Sequence, residues 1–104
     1  MNTFLMFGKY SAEAIKAMSP ARTQSTVNLF KQMGGEVKAM YALLGDVDLV
    51  FVVTLPSIEA AIKASVALSK QTGIAFTTSP AMSVEEFDKI IAQGRLDTVE
   101  QASY

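Results

Sequence analysis

Two segments of this chain are apolar at consecutive positions rather than at alternate ones. Residues 3–7 read Thr-Phe-Leu-Met-Phe, and residues 49–53 read Leu-Val-Phe-Val-Val. Strand side chains alternate between the faces of a sheet, so a strand of this pattern needs cover on both sides. The rest of the pattern places these two strands among other elements. Gly8 ends the first strand, and Ser11 caps a short helix with Glu13 in its first turn. Ser19-Pro20 restarts the helix, with Ser as cap and Pro at the first helical position. Val27, Phe30 and Met33 then recur at helical spacing, and Gly34-Gly35 ends the run.

A second strand is predicted over 36–43. Val37, Ala39, Tyr41 and Leu43 share one face by alternation, and Lys38, Met40 and Ala42 share the other. A tight turn at Gly45-Asp46-Val47 joins it to a third strand from Asp48 to Leu55, which makes an antiparallel hairpin. Pro56-Ser57 stops that strand and caps a helix over 58–72. Ile58, Ala61, Ile62, Ser65, Leu68 and Ser69 fall on its expected core side, with Glu59, Lys63 and Lys70 opposite. A more polar strand over 74–79 suits an edge. Ser83 with Glu86 then forms a capping box, and Met82 with Phe87 has the spacing of a hydrophobic staple, so a last helix starts at 84. Residues 1–94 read as one domain and 95–104 as a tail, where Asp97 and Glu100 offer one further capped turn.

The order βαββαβ plus a C-terminal helix defines an α+β, ferredoxin-like arrangement with an antiparallel four-stranded sheet. Right-handed crossovers place both main helices on the same face. The two doubly apolar strands become the central pair, and their second face lacks cover. Four strands ~4.8 Å apart and ~18 Å long present roughly 350 Å² in projection. That is near the largest apolar patch a monomer usually tolerates. A homodimer or higher homo-oligomer is therefore expected, unless the last helix covers the same face.

Composition narrows the chemistry. Half of the 104 residues are hydrophobic and only 18% are charged, below the ~25% that is usual, which agrees with assembly. A net charge of −1, with the nine Lys and Arg scattered singly, gives no field for nucleic acid or anionic lipid. The chain has no cysteine and no histidine. That excludes disulfides, thiolate catalysis, a Ser-His-Asp triad and the commonest transition-metal ligands. No apolar run approaches the ~18 residues of a membrane span. No positively charged leader precedes the first apolar stretch, so a cytoplasmic location is expected.

The residues also carry a resemblance. Gly34-Gly35-Glu36-Val37-Lys38, then Tyr41, then Leu44-Gly45-Asp46-Val47-Asp48-Leu49-Val50, is similar to the GYD domain family, as are Ser19-Pro20-Ala21-Arg22 and Thr77-Thr78. Gly45 and Asp48 match the family's naming motif, and Val47 stands where its tyrosine falls. The resemblance implies a dimeric α/β barrel, in which two ferredoxin-like sheets face each other. It implies no particular reaction.

Few residues offer chemistry. Gly45 and Asp46 read as turn residues, Gly supplying positive φ and Asp bonding its own backbone. Two carboxylates on one short turn, Asp46 and Asp48, make a poor cation site, and no metal is expected. Arg22 lies near a helix start, where the dipole disfavours a cation. It is expected either to pair with Asp46 or Asp48 or to hold an anionic ligand. Tyr41 needs a partner for its hydroxyl if buried. Tyr10 and Lys9 flank the mouth of any pocket beside the first strand. The ligand-binding candidates are thus Tyr41, Arg22, Asp48, Lys38 and Tyr10, around a small apolar ligand and with no cofactor. The expected function is a small-molecule binding or assembly module, with any pocket between the facing sheets of two copies. The alternatives are a purely structural oligomerisation domain and a cofactor-independent oxygenase or isomerase. In the last, a desolvated Asp48, Lys38 or Tyr41 would act as the acid–base group.

Overall fold

A computed structural model describes residues 1–93. The expected tail over 95–104, with its Asp97–Glu100 turn, lies outside them. The elements run β1 (Asn2–Lys9), α1 (Ala12–Lys16), α2 (Pro20–Gln32), β2 (Glu36–Ala42), β3 (Leu49–Leu55), α3 (Ile58–Thr72), β4 (Ala75–Ala81) and α4 (Val84–Ala92). The strands form one antiparallel sheet in the order β2-β3-β1-β4, so β1 and β3 are central. This is the ferredoxin-like arrangement expected from the element order.

All four helices of the described residues start at a serine whose hydroxyl accepts a backbone N–H. Ser11 takes Ala14 at 3.0 Å, Ser19 takes Arg22 at 3.2 Å, Ser57 takes Ala60 at 3.1 Å and Ser83 takes Glu86 at 3.1 Å. Each bond satisfies a donor that the first helical turn would otherwise leave unpaired.

The core lies between the sheet and helices α2 and α3. Phe4 and Met6 from β1, Phe51, Val53 and Leu55 from β3, Phe30 from α2, and Ala61, Ala64 and Leu68 from α3 are all buried. The alternate residues Leu5, Phe7, Val50 and Val52 point to the opposite face and are only half-buried. Helix α4 does not cover that face, since every one of its residues is exposed.

Three expectations are corrected by packing. The register of β2 against β3 shifts between Val37 and Ala39, a β-bulge at Lys38. The extra residue inverts the alternation, so Val37 pairs beside Val53 on the helix side while Tyr41 pairs beside Val50 on the open side. Val37 and Tyr41 therefore do not share a face. Helix α3 turns its small residues, Ala61 and Ala64, to the sheet for close approach, and leaves Ile58 and Ile62 about 60% exposed. In the expected staple, Met82 and Phe87 are each more than half exposed.

Strand β1 also runs further than the pattern indicates, through Gly8 to Lys9. Gly8 is flanked on the helix side by Ile74 and Phe76. A Cβ there would lie 2.9 Å from both side chains, so only glycine leaves them room. Phe76 lies over this gap and meets Phe51 from beyond β1, with ring centroids 5.4 Å apart.

Candidate functional site

At the end of the sheet carrying Gly8, α2 and the C-terminus of α3 stand apart enough to leave a cavity of about 380 Å³, open to solvent on one side. Its apolar walls are Met40 from β2, Leu49 and Phe51 from β3, Phe76 from β4, and Ile74 and Met18 from the flanking loops. Its polar rim is Tyr10, Arg22, Thr23, Thr26 and Thr72. The Phe51–Phe76 pair is part of the wall, and it exists because Gly8 has no side chain.

Arg22 has a partner that spacing did not indicate. Its Nη1 donates to the Ala14 carbonyl in α1 at 2.8 Å, and its Nη2 donates to the Thr72 carbonyl at the end of α3. It pairs with neither Asp46 nor Asp48. The cation at the unfavourable end of α2 is thus also at the favourable end of α3, where unpaired carbonyls concentrate negative charge. Thr72 supports the same corner: its hydroxyl donates to the Leu68 carbonyl at 2.7 Å and accepts the Ile74 N–H at 3.1 Å. Thr26 is buried beneath, its hydroxyl donating to the Arg22 carbonyl at 3.1 Å.

Asp48 ties the hairpin to the cavity rim. Its Oδ2 accepts the Tyr10 N–H at 2.9 Å, its own N–H donates to the Gly8 carbonyl at 2.9 Å, and its carbonyl accepts the Leu43 N–H at 2.8 Å. The loop-bonding role expected of Asp46 therefore falls to Asp48, and Asp46 is exposed without a hydrogen bond among the described residues. Gly45 takes φ +156° in this turn, a conformation that side chains disfavour.

Of the five candidate residues, the structure brings Tyr10 and Arg22 to the cavity, with Asp48 holding the Tyr10 backbone. Tyr41 stands on the open face of the sheet, 59% exposed. Lys38 sits at the bulge, exposed, and binds Glu36 at 3.0 Å. The bulge is the physical reason that Tyr41 turns away. The sequence reading missed Gly8, Phe76, Thr26 and Thr72. A glycine inside an apolar strand pattern is a recognised mark of close approach, and it was the available signal for Gly8. Among the described residues no group of His, Cys, Asp or Glu is placed to hold a metal ion.

The sheet order, with helices α2 and α3 packed on one face, defines an α+β domain of the ferredoxin-like class. A model of the GYD domain matches residues 4–91, and the chain belongs to that family. Among solved structures it is similar to the leucine response regulatory protein (LrpA) of Mycobacterium tuberculosis, with a TM-score of 0.53 at 11% identity. The likeness covers 79% of this chain and 51% of that one, so this chain spans about half the length of that protein. A comparison with curated proteins finds no match. Among the described residues no helix is long and apolar enough to cross a membrane.

Proposed function

We propose that this domain binds a small, mainly apolar molecule in the cavity beneath α2, and works as a homodimer through the open face of its sheet. The observation that carries the reading is the cavity itself. It has a volume of about 380 Å³, within the ~300–1,000 Å³ common for small-molecule sites, and it combines apolar walls with a few convergent polar groups. Arg22 spends two N–H groups on backbone carbonyls and keeps further donors for a carbonyl or carboxylate on the ligand. The name of the structural neighbour, which ties that protein to leucine, supports the same class of ligand.

Dimerisation rests on the row Leu5, Phe7, Val50 and Val52, apolar side chains at the centre of a sheet face that no helix among the described residues covers. The enzyme reading has less support. Its acid–base candidates are dispersed: Asp48 is bonded to a backbone N–H, Lys38 is paired in solvent, and Tyr41 lies on the other face.

The test is a titration of isotope-labelled protein with branched-chain amino acids and C4–C8 carboxylates, followed by amide NMR. Shifts concentrated at Tyr10, Arg22, Phe51 and Ile74 are expected, and a Leu49→Trp variant that fills the cavity should weaken binding at least ten-fold. Shifts scattered over the surface, or unchanged binding in the filled variant, would reject the site. Native mass spectrometry of protein purified from its own source would show the subunit count and any retained ligand together.

A further inference from the structure

Two apolar surfaces on this chain are left open, and they match each other. The first is α4. Val84, Phe87, Ile90 and Ile91 recur at i, i+3, i+6 and i+7, one face of a helix, and are 74%, 54%, 36% and 38% exposed. The second is a groove of about 240 Å³ between α3 and the edge strand β4. Ile58, Ile62 and Val66 form one wall at i, i+4 and i+8, and are 60%, 59% and 49% exposed; Phe76 and Pro80 form the other. An apolar stripe on an unpacked helix is not stable in water by propensity alone, and a helix of about 14 Å draws its stability from packing.

We infer that α4 of one copy docks in the α3–β4 groove of a second copy, and that the exchange is reciprocal. Docking within one chain would bury both surfaces, yet among the described residues both are open. The connection from β4 to α4 is only Met82-Ser83, and Ser83 caps the helix directly, so α4 starts beside its own groove without lying along it. Charge agrees with the pairing only in sum: Glu85, Glu86 and Asp88 outnumber Lys89 on α4, and Lys63 and Lys70 outnumber Glu59 on α3, while Lys63 binds Glu59 at 3.2 Å and Lys89 binds Glu85 at 3.7 Å within their own helices. Area agrees as well. At roughly 150–200 Å² of surface per large side chain, the exposed fractions leave roughly 400 Å² of apolar surface on Met82 and the stripe. Counted in the same way, Ile58, Ile62 and Val66 leave roughly 300 Å² on the groove wall, so two exchanged arms and two grooves bury at most about 1,400 Å², within the range of a standard interface. The groove lies on the helix side of the sheet, apart from both the open face and the ligand cavity, so this inference does not rest on the proposed function.

The absence of native cysteine makes the test direct. Full-length chains carrying Ile62→Cys are mixed with isotope-labelled chains carrying Ile91→Cys, allowed to exchange, and oxidised. The expected product is a disulfide-linked pair containing one chain of each kind. No such pair, a pair dominated by two Ile91→Cys chains, or equal linkage of Ile91→Cys to a Val52→Cys control on the open face would overturn the inference. So would closure within single chains in the Ile62→Cys/Ile91→Cys double variant at low concentration. As a second measurement, made in a Val52→Asp background so that the open face does not contribute, Phe87→Asp with Ile91→Asp should weaken self-association at least ten-fold. It should leave ligand titration at the cavity unchanged, which separates failure of the arm from failure of the binding site. Unchanged association would count against the arm.

Discussion

The two faces of the sheet are built from the same strands and differ in almost everything else. On the helix side Phe4, Met6, Phe51 and Val53 are buried to 3% exposure or less. On the open side Leu5, Phe7, Val50 and Val52 alternate with them, are as apolar, and remain only half-buried. Hydropathy is the same on both faces, so it does not decide which face becomes core. Helices α2 and α3 decide it, because they pack on one side and leave the other to find cover elsewhere. The helix side is not uniform either. Near α3 the small residues Ala61 and Ala64 draw helix and sheet together, whereas near the start of α2 the layers part and the cavity opens.

The contrast can be broken most strongly from the helix side. Phe30→Ala removes a fully buried ring from the centre of the core. It should cost about 3–5 kcal/mol in denaturant unfolding, with little dependence on protein concentration. The open face should answer differently. Val52→Asp places a charge at the middle of the uncovered patch, and is expected to remove the contact made through that face, lowering the mass seen by light scattering at micromolar concentration, while its circular dichroism persists. A Val52→Asp protein whose mass is unchanged from the native chain's would show that the open face is not a contact.

A smaller effect sharpens the comparison within the helix side. Arg22→Ala deletes two charged hydrogen bonds at the ends of α1 and α3. It should cost about 1.5–3 kcal/mol by thermal or chemical unfolding, and Arg22→Lys should recover little of it, because an ammonium cannot reach two carbonyls in the same fork. The smallest effect belongs to α4. Ser83→Ala removes its cap, worth ~1 kcal/mol to the helix, but no core residue comes from α4. Global unfolding of the monomer should move by less than about 0.5 kcal/mol, with the loss visible in amide exchange of residues 84–87 alone.

Much of this fold was legible before any coordinates. The four serine caps, the break at Ser19-Pro20, the hairpin at Gly45 and the central place of β1 and β3 all follow from signals a few residues long. The candidate site was legible only in part. Arg22 was conspicuous because a cation does not belong at a helix start, but its answer is a carbonyl 50 residues away at Thr72. Tyr41 was placed with Val37 by simple alternation, and the bulge at Lys38 separates them. Periodicity puts Ile58 and Ile62 in the core, yet the rotation of α3 is set by how closely its alanines can approach the sheet.

What the chain determines by itself is whatever depends on neighbours within one helical turn or one hairpin: element type, caps, turns and element order, and with them membership in the GYD domain family. What only the tertiary structure decides is how distant elements register and tilt against one another. The bulge in β2, the room above Gly8 that lets Phe76 meet Phe51, the anchoring of Arg22 and the parting of α2 from the sheet all arise there. Their cause is close packing between residues far apart in sequence, where a shift of one position exchanges the two faces of a strand.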